Sequence, residues 1–157
     1  MDTAATPADS AGLLLEESVA KELAFGSILE ENLFPYPAIR EKDRDVLGMI
    51  IDSVDAFLAD KTADFKQWDR DGAQPPEFIT ALKELGLFGL VIPEEYGGLG
   101  LSNAAYARVL GQTSQHDSSV SLTVGAHSSI GMKGLLLFGN AAQRARYLPK
   151  LASGEMI

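Results

Sequence analysis

Residues 46–58 decide the fold class that the sequence predicts. They read Val-Leu-Gly-Met-Ile-Ile-Asp-Ser-Val-Asp-Ala-Phe-Leu, and the large apolar residues recur three and four positions apart. That spacing places them on one face of an α-helix, which we predict from about residue 39 to 61. No run of alternating or β-branched residues bounded by turns predicts a strand. The chain is therefore predicted to be all-α.

Helix start and stop signals predict the remaining elements. A helix in the segment 12–34 precedes two prolines, and Trp68 to Gly72 is predicted to be a turn. Two further helices are predicted before residue 116: one opened by Pro75-Pro76 and capped by Gly86, and one from Ser102 to about Gln115. A third is predicted over about 119–138, capped by Ser118 or Ser119. The last is opened by a capping box of Asn140 and Gln143 and ended by Pro149.

Length and composition bound the class of protein. A chain of 157 residues has room for one domain. Its net charge of −9 argues against non-specific binding to nucleic acid or to anionic lipid. The absence of cysteine excludes disulfides and thiolate sites, and no segment is apolar enough to predict a membrane span.

The amino-terminal residues suggest both a domain division and a compartment. We expect a disordered tail over 1–11, a helical arm over 12–37 and a helical domain over 38–157. The first ten residues are small, polar and acidic, which resembles neither a secretory signal nor a mitochondrial transit peptide. A cytoplasmic location is the resulting expectation.

Three local patterns invite catalytic or binding interpretations that the residues support poorly. Residues 97–100, Gly-Gly-Leu-Gly, lack the Lys-Ser/Thr of a phosphate loop, so a tight turn with positive φ is favoured. His116 and His127 are too far apart for ligation on one helix face, and no metal site is predicted. The adjacent Glu94 and Glu95 are expected to be solvated acids rather than a catalytic pair.

Two features between Asp117 and Glu155 leave alternatives open. This stretch contains no acid but has bases at 133, 144, 146 and 150, which fits either a buried helix followed by a basic surface helix or a surface that meets an anionic partner. Residues 118–134 are apolar and rich in serine and glycine. Because glycine weakens a helix, either another helix packs closely there or a ligand channel runs along it.

At these residues the chain resembles the acyl-CoA dehydrogenase family, and in particular its very-long-chain branch. The resemblance rests on residues 85–100, Leu-Gly-Leu-Phe-Gly-Leu-Val-Ile-Pro-Glu-Glu-Tyr-Gly-Gly-Leu-Gly, on 125–134, Gly-Ala-His-Ser-Ser-Ile-Gly-Met-Lys-Gly, and on 147–155, Tyr-Leu-Pro-Lys-Leu-Ala-Ser-Gly-Glu. Phe34-Pro35-Tyr36-Pro37 is similar to the arm of that branch. The similarity runs unbroken from about residue 18 to 157.

The resemblance implies an amino-terminal helical-bundle domain that stops before the family's middle β-domain. It implies α,β-dehydrogenation of a long-chain fatty acyl-CoA to the trans-2-enoyl-CoA in β-oxidation, with FAD taking the β hydride and an electron-transfer flavoprotein taking the electrons. The family forms homo-oligomers. The catalytic glutamate and the main flavin contacts lie in later domains, so no catalytic or cofactor-binding residue is expected here, and this part alone is expected to be inactive.

The same resemblance places the fatty tail between helices of this domain. It implies that Ser121, Leu122 and Gly125 line the tail, with serine at 121 where the branch typically has glycine. A non-catalytic all-α interaction module derived from the same domain is the alternative function.

Overall fold

The structure is a computed structural model and describes residues 24–26 and 38–157. The predicted tail over 1–11 and nearly all of the arm over 12–37 lie outside the described residues. Residues Ile39–Ile157 form one compact unit. Its helices are α1 Glu41–Leu58, α2 Thr62–Asp71, α3 Pro76–Glu84, α4 Asn103–His116, α5 Ser118–Ala126, α6 Lys133–Phe138 and α7 Ala141–Ala152, with a 3₁₀ turn at Glu94–Tyr96 and a π-helical turn at His127–Gly131. The described ranges contain no strand, which confirms the all-α prediction there.

Helix α1 supplies one wall of the main core. Leu47, Ile50, Val54 and Leu58 are buried at the spacing that the sequence predicted. Each fully buried aliphatic side chain contributes about 1.5–3 kcal/mol, so this face fixes α1 against the rest of the bundle. Its principal neighbour is α4, which in turn packs on α5.

The predicted turn at Trp68–Gly72 is wrong, because Trp68 lies within α2. Its ring packs 4.6 Å from the ring of Phe78 and 5.5 Å from that of Phe65. These contacts hold the last turn of α2 in helical geometry, and the chain leaves the helix only at Gly72, where φ is +70°. The cluster covers the end of the bundle where α2 meets α3.

The segment after α3 is a compact loop rather than a phosphate cradle. Gly97 and Gly100 have φ of +82° and +58°, as predicted for a tight turn. A Cβ at Gly98 would collide with the Ile92 carbonyl oxygen, because two segments of the loop's backbone are in contact there. Gly86 caps the preceding helix with φ of +73°, which also confirms the prediction.

A buried carboxylate attaches this loop to α1. Asp43 accepts two hydrogen bonds of 2.9 Å from the Arg40 guanidinium and two from Ser102, at 3.1 Å from its N–H and 2.6 Å from its hydroxyl. Arg40 also donates to the Gly100 carbonyl at 2.8 Å. The bonds from Arg40 and then from Ser102 hold the pKa of the Asp43 carboxyl well below its ordinary range.

The predicted single helix over 119–138 is wrong, because it is three elements. Helix α5 gives way at His127 to the π-helical turn, and α6 begins only at Lys133. His127 and Met132 are five residues apart and both buried. An α-helix would point them about 140° apart, whereas a π-helical turn adds a residue and aims both at the core. The predicted cap also moves, since Asp117 rather than a serine caps α5.

Helix α7 begins as predicted and ends later. Asn140 and Gln143 form the capping box. Pro149 does not end the helix, which continues to Ala152 because Leu151 and Ala152 are buried against Ile92 and its neighbours. Gly154, with φ of +71°, follows the end of α7.

Candidate functional site

The candidate site is a surface groove between α4 and α5. It has a volume of about 390 Å³ and is lined by Tyr106, Leu110, Ser114, Ser118, Ser121, Leu122, Gly125, Ala126, Ser129 and Ile130. No charged side chain belongs to this lining. We call it the groove below.

The three residues assigned from the resemblance all line the groove. Ser121 and Gly125 are partly exposed. Leu122 is 71% exposed, so it forms the rim rather than the floor. A Cβ at Gly125 would meet a Leu110 methyl at 3.6 Å and the Tyr106 hydroxyl at 3.7 Å, which are ordinary contact distances. A Cβ at Gly125 therefore fits without displacing its neighbours.

Four of the five hydroxyls around the groove are bonded to backbone carbonyls. Ser114 and Ser121 both donate to the Leu110 carbonyl, at 2.8 and 3.2 Å. Tyr106 and Ser129 both donate to the Gly125 carbonyl, at 3.3 and 2.7 Å. A hydroxyl whose proton is committed in this way has no donor left to offer a ligand. Burial raises the pKa of Tyr106, which keeps its phenol protonated as the donor.

Small residues are what bring α4 and α5 together here, but not at every glycine. Gly125 lies against α4, whereas Gly131 and Gly134 are exposed and no side chain of the described residues approaches them. The close helix packing expected along this glycine-rich stretch is thus found at Gly125 and not at Gly131 or Gly134. Leu122, Ile130, Leu137 and Phe138 are also exposed, so residues 118–138 are not the uniformly buried helix that the sequence suggested.

Sequence reasoning missed the α4 side of the groove. Tyr106 and Leu110, on the helix predicted from Ser102 to about Gln115, are partly exposed and line the groove. Their spacing of four residues puts them on one helix face, which was the available signal. Nothing in the sequence alone separates a face that packs on a core from one that borders a groove.

The two histidines have structural partners. His127 is 5% exposed, its Nε2 lies 3.0 Å from the Leu151 carbonyl, and its ring meets Phe88 edge-on. Burial lowers its pKa. His116 lies 2.7 Å from Asp55, whose pKa its hydrogen bond lowers. Among the described residues no cluster of metal-ligating side chains is present.

The basic residues near the carboxyl end are spread over separate contacts. Lys133 donates to the Asn103 side chain at 3.1 Å, Lys150 pairs with Glu155 at 2.7 Å, and Arg146 lies over the Tyr147 ring. The bases therefore form no shared anion site among these contacts. No helix within the described ranges has the length and hydropathy that a membrane crossing requires.

Comparison with known proteins now decides the family. Residues 45–155 match the family described as acyl-CoA dehydrogenase, N-terminal domain. The chain belongs to the acyl-CoA dehydrogenase family. The resemblance inferred from the sequence is thereby confirmed, and the groove is a feature of an acyl-CoA dehydrogenase N-terminal domain.

Individual relatives agree with this assignment. The human very long-chain specific acyl-CoA dehydrogenase, mitochondrial, is 42% identical over 144 residues, which cover 90% of this chain and 22% of that protein. A solved acyl-CoA dehydrogenase from Bacillus anthracis complexed with FAD has a TM-score of 0.57 at 33% identity, over 71% of this chain and 20% of that one. A structure described as an electron transferring flavoprotein of Acidaminococcus fermentans has a TM-score of 0.65 at 27% identity, over 71% and 30%. The chain thus spans about a fifth of the length of the curated relative.

Proposed function

We propose that this domain serves a flavin-dependent acyl-CoA dehydrogenase that converts long-chain fatty acyl-CoA to trans-2-enoyl-CoA in β-oxidation. The observation that carries the proposal is the groove: an uncharged, open surface groove on a domain of this family, with Ser121, Leu122 and Gly125 in its lining. The very-long-chain name of the human relative supports a long substrate.

The chemistry of the lining favours an alkyl chain over a polar ligand. Alkyl tails offer no hydrogen-bond acceptors, so a wall with free donors would lose bonds to water without replacement. The hydroxyls of Tyr106, Ser114, Ser121 and Ser129 avoid that loss because each already donates to a carbonyl. The serine at 121 therefore adds bulk to the wall without adding an unsatisfied donor.

The size of the groove fits a long chain. An apolar cavity of about 150 Å³ holds a six-carbon ring, so about 390 Å³ corresponds to roughly sixteen carbon atoms as an upper bound for an open groove. Burying each methylene contributes about 0.8 kcal/mol where it is fully covered. The groove thus provides both the space and the driving force for tail binding.

The described residues do not themselves provide a flavin site. Four of the five hydroxyls of the groove already donate to carbonyls, and no charged side chain lines it to meet a pyrophosphate. We therefore propose that FAD and the catalytic base are supplied by other domains of the enzyme, and we derive no catalytic step from this chain. Its own contribution is to hold and orient the tail. An electron-transfer flavoprotein as electron acceptor and a homo-oligomeric assembly are part of the same proposal.

A cytoplasmic location is part of the same proposal. The human relative is named mitochondrial, so the location needs a direct test. Cell fractionation with an antibody against this domain distinguishes the two locations.

Anaerobic titration of the complete enzyme tests the proposed reaction. Purified protein carrying this domain should be yellow, and palmitoyl-CoA should bleach its flavin absorbance with formation of the trans-2-enoyl product. A colourless protein that binds no flavin would instead favour the non-catalytic helical module. Bound flavin that palmitoyl-CoA leaves oxidised would refute the substrate class.

A further inference from the structure

A second cavity lies on the other side of the groove's rim. It has a volume of about 760 Å³ and opens between α2, the loop before α3 and the amino-terminal half of α5. We call it the bowl. Ser118 and Leu122 line both cavities, so this one turn of α5 is a wall shared by the groove and the bowl.

One part of the bowl's lining is apolar. Phe65 is buried at 6% exposure, and Trp68 and Ile79 are partly buried beside it. All three line the bowl, as does the exposed Leu122. An alkyl chain that reached the bowl would therefore meet aromatic and aliphatic carbon rather than water.

The polar groups on the α5 side of the bowl bond to each other. Gln74 donates to the Ser119 hydroxyl at 3.0 Å and accepts from the Thr123 hydroxyl at 3.3 Å. One N–H of the Gln74 amide, its oxygen and both hydroxyls thus have partners, and these bonds tie the loop before α3 to α5.

The charges at the bowl argue against an anionic occupant. Lys66 is accompanied by two acids, Asp69 and Asp117, and His116 is already bonded to Asp55. A phosphate or carboxylate would meet a net negative lining in a protein whose total charge is −9. An uncharged occupant fits this lining better.

We infer that the bowl takes the distal end of a long acyl tail, which crosses the shared wall between Ser118 and Leu122 after filling the groove. This assignment rests on the proposed function of the groove. It makes Leu122 and Thr123 chain-length-determining residues, with different consequences: Leu122 governs passage between the cavities, and Thr123 governs only the capacity of the bowl.

The chain carries a built-in reporter for this assignment. Trp68 is its only tryptophan, and it lines the bowl but not the groove. Octanoyl-CoA should bind to the 157-residue chain by calorimetry and leave Trp68 fluorescence unchanged. Eicosanoyl-CoA should bind and shift the Trp68 emission to shorter wavelength, because alkyl carbon replaces water beside the indole.

Thr123→Phe places a ring of about 150 Å³ in the bowl, roughly a fifth of its 760 Å³, and supplies the second measurement. It should weaken eicosanoyl-CoA binding by about tenfold or more, since each methylene left in water instead of apolar surroundings weakens binding by about fourfold. It should leave octanoyl-CoA binding within about twofold. Thr80→Phe is the matched control. The Thr80 hydroxyl donates to the carbonyl four residues earlier, as the Thr123 hydroxyl does. Thr80 is exposed and lines neither cavity. It should change neither affinity.

The outcomes separate the two levels of the argument. Eicosanoyl-CoA that binds without altering Trp68 emission would overturn the role of the bowl and leave the groove's function standing. A Thr123→Phe variant that weakens the binding of both acyl-CoAs equally would have the same consequence. If Thr123→Phe does not fold, as judged by circular dichroism, the Trp68 measurement on the parent chain decides alone. Failure of both acyl-CoAs to bind to this chain would overturn the inference, whereas the anaerobic titration of the complete enzyme tests the proposed function separately.

Discussion

Replacing Gly125 with phenylalanine should convert the groove from a long-chain to a short-chain site. The new Cβ makes only ordinary contacts, at 3.6 Å to Leu110 and 3.7 Å to Tyr106, so the backbone has no reason to move. The ring then extends into the groove. A six-carbon ring occupies about 150 Å³, which is roughly 40% of the 390 Å³ available.

The magnitude follows from the displaced tail. A ring of six carbons displaces about six methylenes, and in an open groove about half of the 0.8 kcal/mol for each is realised. The loss is about 2.4 kcal/mol, or roughly fiftyfold in Kd. Calorimetric titration with palmitoyl-CoA should show this loss, while butanoyl-CoA, which leaves most of the groove empty, should change little.

A matched variant separates filling of the groove from loss of glycine. Gly125→Ala adds only the Cβ, which fits, so its affinity for palmitoyl-CoA should stay within about twofold of the parent chain. A Gly125→Phe protein that folds normally and binds palmitoyl-CoA as tightly as the parent would refute the assignment of the groove to the tail.

Three further predictions concern the scaffold. Asp43→Asn should lower the urea midpoint of unfolding far more than Asp45→Asn, which changes an exposed residue of the same helix. It should also make stability depend less on pH in acid, because the depressed pKa of Asp43 gives stability that is present above the unfolded-state pKa of about 3.9 and is lost as pH falls through the folded-state pKa. Equal midpoints for the two variants would contradict the role of this carboxylate. The NMR titration of His127 should give a pKa below 6.5. Stability should then fall as pH drops through 6.5, because the unfolded chain binds the proton first. A His127 that titrates at its ordinary pKa would contradict its burial. Gly98→Ala should prevent folding or severely destabilise the chain, since its Cβ would collide with a backbone carbonyl. Gly111→Ala, at an exposed position of α4, should instead raise the stability measured in thermal melts by about 0.5–1 kcal/mol. Similar melting of the two variants would argue against the loop geometry.

The sequence predicted those elements whose signals are local. The face of α1, the left-handed cap at Gly86 and the capping box at Asn140 each depend on residues within one or two turns. Their physical causes, helical periodicity, positive φ and reciprocal capping bonds, are written in neighbouring residues.

The errors arose where a tertiary contact overrides a local signal. Packing of Trp68 on Phe78 extends α2, and burial of Leu151 carries α7 past a proline. The π-helical turn escaped prediction because one added residue changes which side chains face the core without changing composition. For the groove, the resemblance supplied its α5 side, while the α4 side follows only from how the two helices pack.

The exposure of Leu122 and Ile130, at 71% and 89%, has an evolutionary consequence. Side chains that bury little surface can be exchanged at small cost to folding, usually within about 0.5 kcal/mol. On the proposed function, substrate range can therefore drift by single changes along this rim while the interior stays constant. A scaffold of this kind lets a lineage acquire enzymes for new fuels without first having to regain stability.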